Sequence, residues 1–110
     1  MAVRTYHLIV DQGANYALSI PVLNDNGGPT TVTGWTVTGQ IRAYPNGSTV
    51  LHELELTVGG TTVTLQIPAA DSSAWTWRTG RYDVELTSPD GLVKARLIEG
   101  LVVVRPEVTR

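Results

Sequence analysis

The residues able to do chemistry in this chain are few and scattered. His7 and His52 are the only histidines, and there is no cysteine. Each histidine stands alone in a stretch of alternating side chains. A zinc site needs three or four N, S or O ligands, so both read as structural or solvent-facing. Ser, His and Asp all occur, but no G-x-S-x-G elbow holds a nucleophile. DSS at 71–73 reads as a turn or helix cap, with Asp71 or Ser72 as the capping residue. Glu53 and Glu55 lie two apart and share the outer side of one strand, the pattern of a polar surface rather than of carboxylates facing across a substrate. GG at 27–28 and at 59–60 joins strands and lacks the helix and Lys of a phosphate-binding loop. DNGG at 25–28 lacks the alternating oxygens of a calcium loop. These residues predict no catalytic group, no cofactor and no metal site, so the chain is not expected to be an enzyme.

The aromatic residues point elsewhere. Trp75 and Trp77 flank Thr76 in a segment without periodicity. One is expected to plug the end of a core. The other is free to contact a protein partner or a sugar, since Trp is enriched at interface hot spots. The tail RPEVTR adds Arg105, Glu107 and Arg110 as further candidate partner contacts, because terminal segments are cheap to order against another surface.

The elements that must position these residues are strands. Of 110 residues, 42% are hydrophobic, enough for a single domain over 1–110. Thr and Val abound, Gly occurs 11 times, mostly between periodic runs, and there is one Lys. That is an all-β composition. The net charge is −2 and the basic residues are spread out, so no nucleic-acid surface is expected. The longest apolar stretch, LVVV at 101–104, is too short for a membrane span, and the first residues show no signal-peptide pattern. The lack of cysteine fits assembly in a reducing cytoplasm.

Residues 3–10 alternate, with Tyr6, Leu8 and Val10 on one face. Residues 15–23 do the same with Tyr16, Leu18, Ile20 and Val22, and Pro21 places that strand at an edge. Over 32–43, Trp35, Val37, Ile41 and Ala43 face inward. PNGS at 45–48 is a turn. Residues 49–58 follow, with Val50, Leu54, Leu56 and Val58 inward, and the GG turn leads to Val63, Leu65 and Ile67. These three strands read as a meander. PAADSSAWTW at 68–77 holds one short helical turn. In the last hairpin Tyr82, Val84, Leu86, Val93, Ala95 and Leu97 face inward, SPDG turns, and Arg81, Asp83, Glu85, Lys94 and Arg96 face out and pair across the strands. Gly100 is placed for a β-bulge, and LVVV reads as covered on both sides. About seven strands with turns every eight to twelve residues predict an Ig-like antiparallel β-sandwich.

Three runs carry a family resemblance: TGWTVTGQIRAYPNGSTVLHELELTV, then TVTLQIPAADSSAW, then GRYDVELTSPDGLVKARLIEGLVVVRPEVTR. A strand ending in I-P-A, a short helical turn, G-x-Y-x-x-E-L, a D-G turn and a closing x-G-x-V-x-V resemble small β-sandwich virion proteins of tailed bacteriophages, of the baseplate and tail-fibre attachment type. The resemblance covers residues 32 to 110. It implies a non-enzymatic structural protein of the tail, baseplate or fibre adaptor, with head decoration as the alternative and a carbohydrate-binding host-recognition module as a further one. The implied partners are other virion proteins, in a homo-oligomer or symmetric multi-copy assembly, with no nucleic acid and no membrane. The implied location is the virion, assembled in the host cytoplasm.

Overall fold

The structure is a computed structural model that describes residues 3–24, 26–44 and 49–106. Among these residues nine strands form two sheets, joined by one helical turn: β1 (Arg4–Thr5), β2 (Leu8–Asp11), β3 (Tyr16–Pro21), β4 (Thr36–Ala43), β5 (Val50–Glu53), β6 (Glu55–Gly59), β7 (Thr62–Ile67), α1 (Ala69–Ser73), β8 (Thr79–Thr87) and β9 (Lys94–Arg105). The larger sheet runs β1-β9-β8-β4-β5, with β2 also on β9, and the smaller runs β3-β7-β6. Two sheets packed together with one short helical turn are the expected all-β sandwich, with nine strands in place of about seven. All pairings are antiparallel except those of β1 and β2, which run parallel to β9.

The inner faces meet in one core. Alternation places Val63, Leu65 and Ile67 from one sheet against Ile41, Val84, Leu86 and Val102 from the other, all fully buried. β3 is an edge strand, as Pro21 requires, and the Arg4 guanidinium donates to the Pro21 carbonyl.

Several expectations change. The run 49–58 is not one strand of a meander. It breaks at Leu54, so β5 pairs with β4 in the large sheet while β6 pairs with β7 in the small one. Glu53 and Glu55 therefore belong to different sheets, and Val50 is exposed. Gly39 makes the crossing possible: a Cβ there would press the Leu54 and Leu56 methyls at 3.2 and 3.0 Å. β4 begins at Thr36, leaving Trp35 half-buried on the rim of the core.

The N-terminal run is likewise two strands. It breaks at Tyr6 and His7, and Tyr6 is exposed. The β-bulge falls at Leu97 rather than Gly100: Val84 pairs with Ile98 but Glu85 with Arg96, so Leu97 and Ile98 are both buried. Val93 is exposed, and Val103 faces solvent although its neighbours Val102 and Val104 are buried. Gly100 serves the N-terminal break instead. The Tyr6 carbonyl dips against it, where any Cβ would overlap, and the buried Tyr82, directly opposite Gly100, donates its hydroxyl to that carbonyl at 2.6 Å. Burial pushes the Tyr82 hydroxyl pKa upward, so it stays a donor.

The helical turn also differs in its cap. Neither Asp71 nor Ser72 caps it; Pro68 is the N-cap residue, and the Asn15 side chain accepts the Ala69 N–H at 2.8 Å. The PNGS turn lies outside the described residues. SPDG turns as expected: Ser88 Oγ donates to the Asp90 carboxylate at 2.5 Å, and Asp90 accepts the Leu92 N–H at 3.0 Å.

Gly100→Ala should therefore destabilise the domain by roughly 1–3 kcal/mol through overpacking. Gly59→Ala, whose Cβ would meet only the Thr62 carbonyl at 4.0 Å, should change stability far less. Urea unfolding of the two variants checks this, and equal losses would contradict it.

Candidate functional site

Two places concentrate exposed or unusual side chains. The first is the outer face of the six-stranded sheet, where β4, β8 and β9 carry their outward residues in rows. Arg42, Arg81 and Leu101 lie side by side in one row. Gln40, Asp83 and Glu99 form the next. Thr38, Glu85 and Arg96 form the third.

Hydrogen bonds lace part of this face. Gln40 donates to Glu53 at 2.7 Å, and Arg42 donates to Gln40 at 2.7 Å. Arg96 bridges Glu99 at 2.9 Å and Asp83 at 3.6 Å. The expected pairing across the hairpin thus holds for Arg96, whereas Arg81 and Lys94 make no ion pair among the described residues. A shallow groove of about 340 Å³ runs over Gln40, Arg42, Arg81, Asp83, Arg96 and Glu99.

Beside the charged rows the face turns apolar. Ile9 and Val103 are direct neighbours on β2 and β9 and are 56% and 40% exposed. Tyr44 is 48% exposed and shares a hollow with Arg81, Leu101 and His7. His7 is itself structural, since its Nδ1 accepts the Leu101 N–H at 3.0 Å and ties the chain break to β9.

The second place is the end of the sandwich beside α1. Of the two tryptophans singled out in the sequence, Trp75 is the plug. It is 9% exposed, and Gln12 donates to its carbonyl at 3.0 Å. Trp77 is half-buried and stacks on Trp75 with ring centres 4.5 Å apart and planes 29° from parallel. His52 meets Trp75 edge-on at 5.1 Å. Its Nε2 is buried without a hydrogen bond and lies 3.9 Å from the Asp71 carboxylate. The tryptophan pair is thus brought together as packing, with Trp77 partly buried against the core. No group of three His, Cys, Asp or Glu side chains among the described residues is placed to hold a metal ion.

The tail residues divide. Arg105 ends β9 and donates to Asp11 at 2.6 Å, so it is engaged within the chain. Glu107 and Arg110 lie outside the described residues. The large-sheet face was missed as a site in the sequence because its signal is register: Arg42 and Arg81 are 39 residues apart and become neighbours only through β4–β8 pairing.

No protein-family model matches this chain, and the search of curated proteins gave no match. Among solved structures it is similar to a family 123 glycoside hydrolase from Clostridium perfringens, at 10% identity and a TM-score of 0.46 over 97% of this chain. The chain spans 24% of the length of that protein.

The hydrogen bond from Arg105 holds the Asp11 carboxyl below its ordinary value of 3.8. Its contribution to stability is present above that value and is lost as pH falls through the lowered one. Asp11→Asn should therefore flatten part of the acid limb of a stability–pH curve below pH 3.8, leaving the neutral limb in shape. An acid limb identical to that of the wild type would contradict the pairing.

Proposed function

We propose that this chain is a non-enzymatic structural domain of a tailed-bacteriophage virion, a tail, baseplate or fibre-adaptor component. It assembles into the particle through the outer face of its six-stranded sheet, against virion proteins that include further copies of itself. The observation that carries the reading is the exposure of Ile9, Tyr44 and Val103 on that face. On a sheet with one solvated side the outward positions are ordinarily polar, and an apolar patch rimmed by charges marks a protein contact. Tyr and Arg, the residue types enriched at such contacts, stand together here as Tyr44, Arg42 and Arg81. The resemblance of residues 32 to 110 to small virion sandwiches supplies the setting. A head-decoration position would use the same surface against a different neighbour. The carbohydrate alternative rests on Trp77 alone, because Trp75 is buried beneath it.

Ile9→Glu combined with Val103→Lys should leave thermal unfolding nearly unchanged, since both side chains face solvent and the two new charges, directly opposite, are of opposite sign. It should lower the amount of the chain in purified particles about ten-fold or more, a loss on the scale of a hot spot. Quantitative mass spectrometry of particles from the source of the sequence reads this. Absence of the wild-type chain from those particles would overturn the reading.

A further inference from the structure

We infer that the outer face of the six-stranded sheet is self-complementary and pairs two copies of this chain about a two-fold axis that crosses the strands between the Arg81 row and the Asp83 row. This deepens the assembly reading above and rests on it by naming the partner of the same face.

Two pairs of neighbours on this face carry like charges. Arg42 and Arg81 are directly opposite on β4 and β8. Asp83 and Glu99 are directly opposite on β8 and β9, two residues further along. Like charges placed so repel. The acidic row is answered within the chain, because Arg96 reaches both carboxylates. Arg81 is not answered: among the described residues its guanidinium has no hydrogen-bond or ion-pair partner.

A cationic row beside an anionic row is the pattern that a two-fold axis satisfies. Rotation about an axis lying across the strands, midway between the rows, lays β8 on its own copy in reverse. Arg81 of each copy then meets Asp83 of the other. Arg42 meets Gln40, and Leu101 lies on the methylenes of Glu99. Each contact occurs twice, as an isologous interface requires. An axis along β8 would instead set Arg81 against Arg81, so the charge pattern selects one orientation.

The area is sufficient. The face is five strands wide, with β1 and β2 sharing one edge position. At a spacing of about 4.8 Å per strand that is roughly 24 Å, and the seven residues of β8 that overlap about this axis, Thr79 to Glu85, extend roughly 24 Å. The product is roughly 600 Å² per copy, or ~1,200 Å² for the pair, at the lower end of a standard interface. Tyr44 and Leu101 lie within this area and supply apolar contact beside the ion pairs.

The test is sedimentation velocity of the full chain over a concentration series, at low and at high salt. The expected result is a monomer–dimer equilibrium that weakens with salt. Arg81→Asp and Asp83→Arg should each raise the dissociation constant about ten-fold or more, and the double reversal should return it to within about three-fold of wild type, since the two charges then face each other exchanged. A second readout is independent of charge reversal. The chain has no cysteine, so a spin label on Thr38→Cys is unique, and the paired geometry puts two such labels roughly 20–25 Å apart. A monomer at every concentration, a double reversal no tighter than the single variants, or no dipolar distance in that range would overturn the pairing. A chain that stays monomeric yet enters particles would overturn this pairing while the assembly reading stands. A dimer missing from particles would do the reverse.

Discussion

The fold depends on how the first strand is fastened to the last. β9 is twelve residues long because it takes β8 along one edge and both β1 and β2 along the other. The N-terminal chain cannot follow it as one straight strand. At Tyr6 and His7 it turns its carbonyl into the space left by Gly100, and Tyr82 reaches past that glycine from β8 to donate to it. The Tyr6 N–H donates to Glu99, and Leu101 donates to His7, so both sides of the break are bound to the same stretch of β9. One missing side chain and one buried hydroxyl thus tie three neighbouring strands together at a point where ladder hydrogen bonding is interrupted.

That fastening shapes both surfaces of the sandwich. Because β1 and β2 join the large sheet, the small sheet is left with three strands, and β3 is exposed at its edge behind Pro21 and Arg4. The large sheet gains width, with six strands against three. The crossing at Leu54 adds β5 to the opposite edge of the same sheet. Polar rows and an apolar corner therefore meet on one side, formed by residues from the beginning, middle and end of the chain. The proposed assembly role follows from this concentration and not from any catalytic grouping.

Much of the architecture was legible in the sequence. Strict alternation at 61–67 and 81–87 gave the inward residues directly, and Pro21 marked the edge strand. The SPDG chemistry located its turn. What failed were the places where alternation continues through a change of partner. The even-numbered residues Val50, Leu54, Leu56 and Val58 keep one parity across the break, with only His52 between them, so nothing local marks the jump between sheets at Leu54; Gly39, far away in sequence, makes room for it. Tyr6 shares the parity of Leu8 and Val10 yet lies outside the core, because the break is set by Gly100 at the other end of the chain. The bulge at Leu97 shifted one register and left Val103 facing water. The tryptophans were recognisable as special, but that they stack on each other required the geometry of α1. The outer-face rows are long-range pairings and have no local signature at all.

The central claim is that the outer face of the large sheet is covered by protein when the chain is at work. The most direct measurement is a cryo-EM reconstruction of intact particles from the source of the sequence, at a resolution that places side chains. The account predicts symmetric copies on the particle with Arg81, Leu101 and Val103 buried against another chain. Copies in which that face looks into solvent while Trp77 or the β3 edge makes the contacts would contradict it.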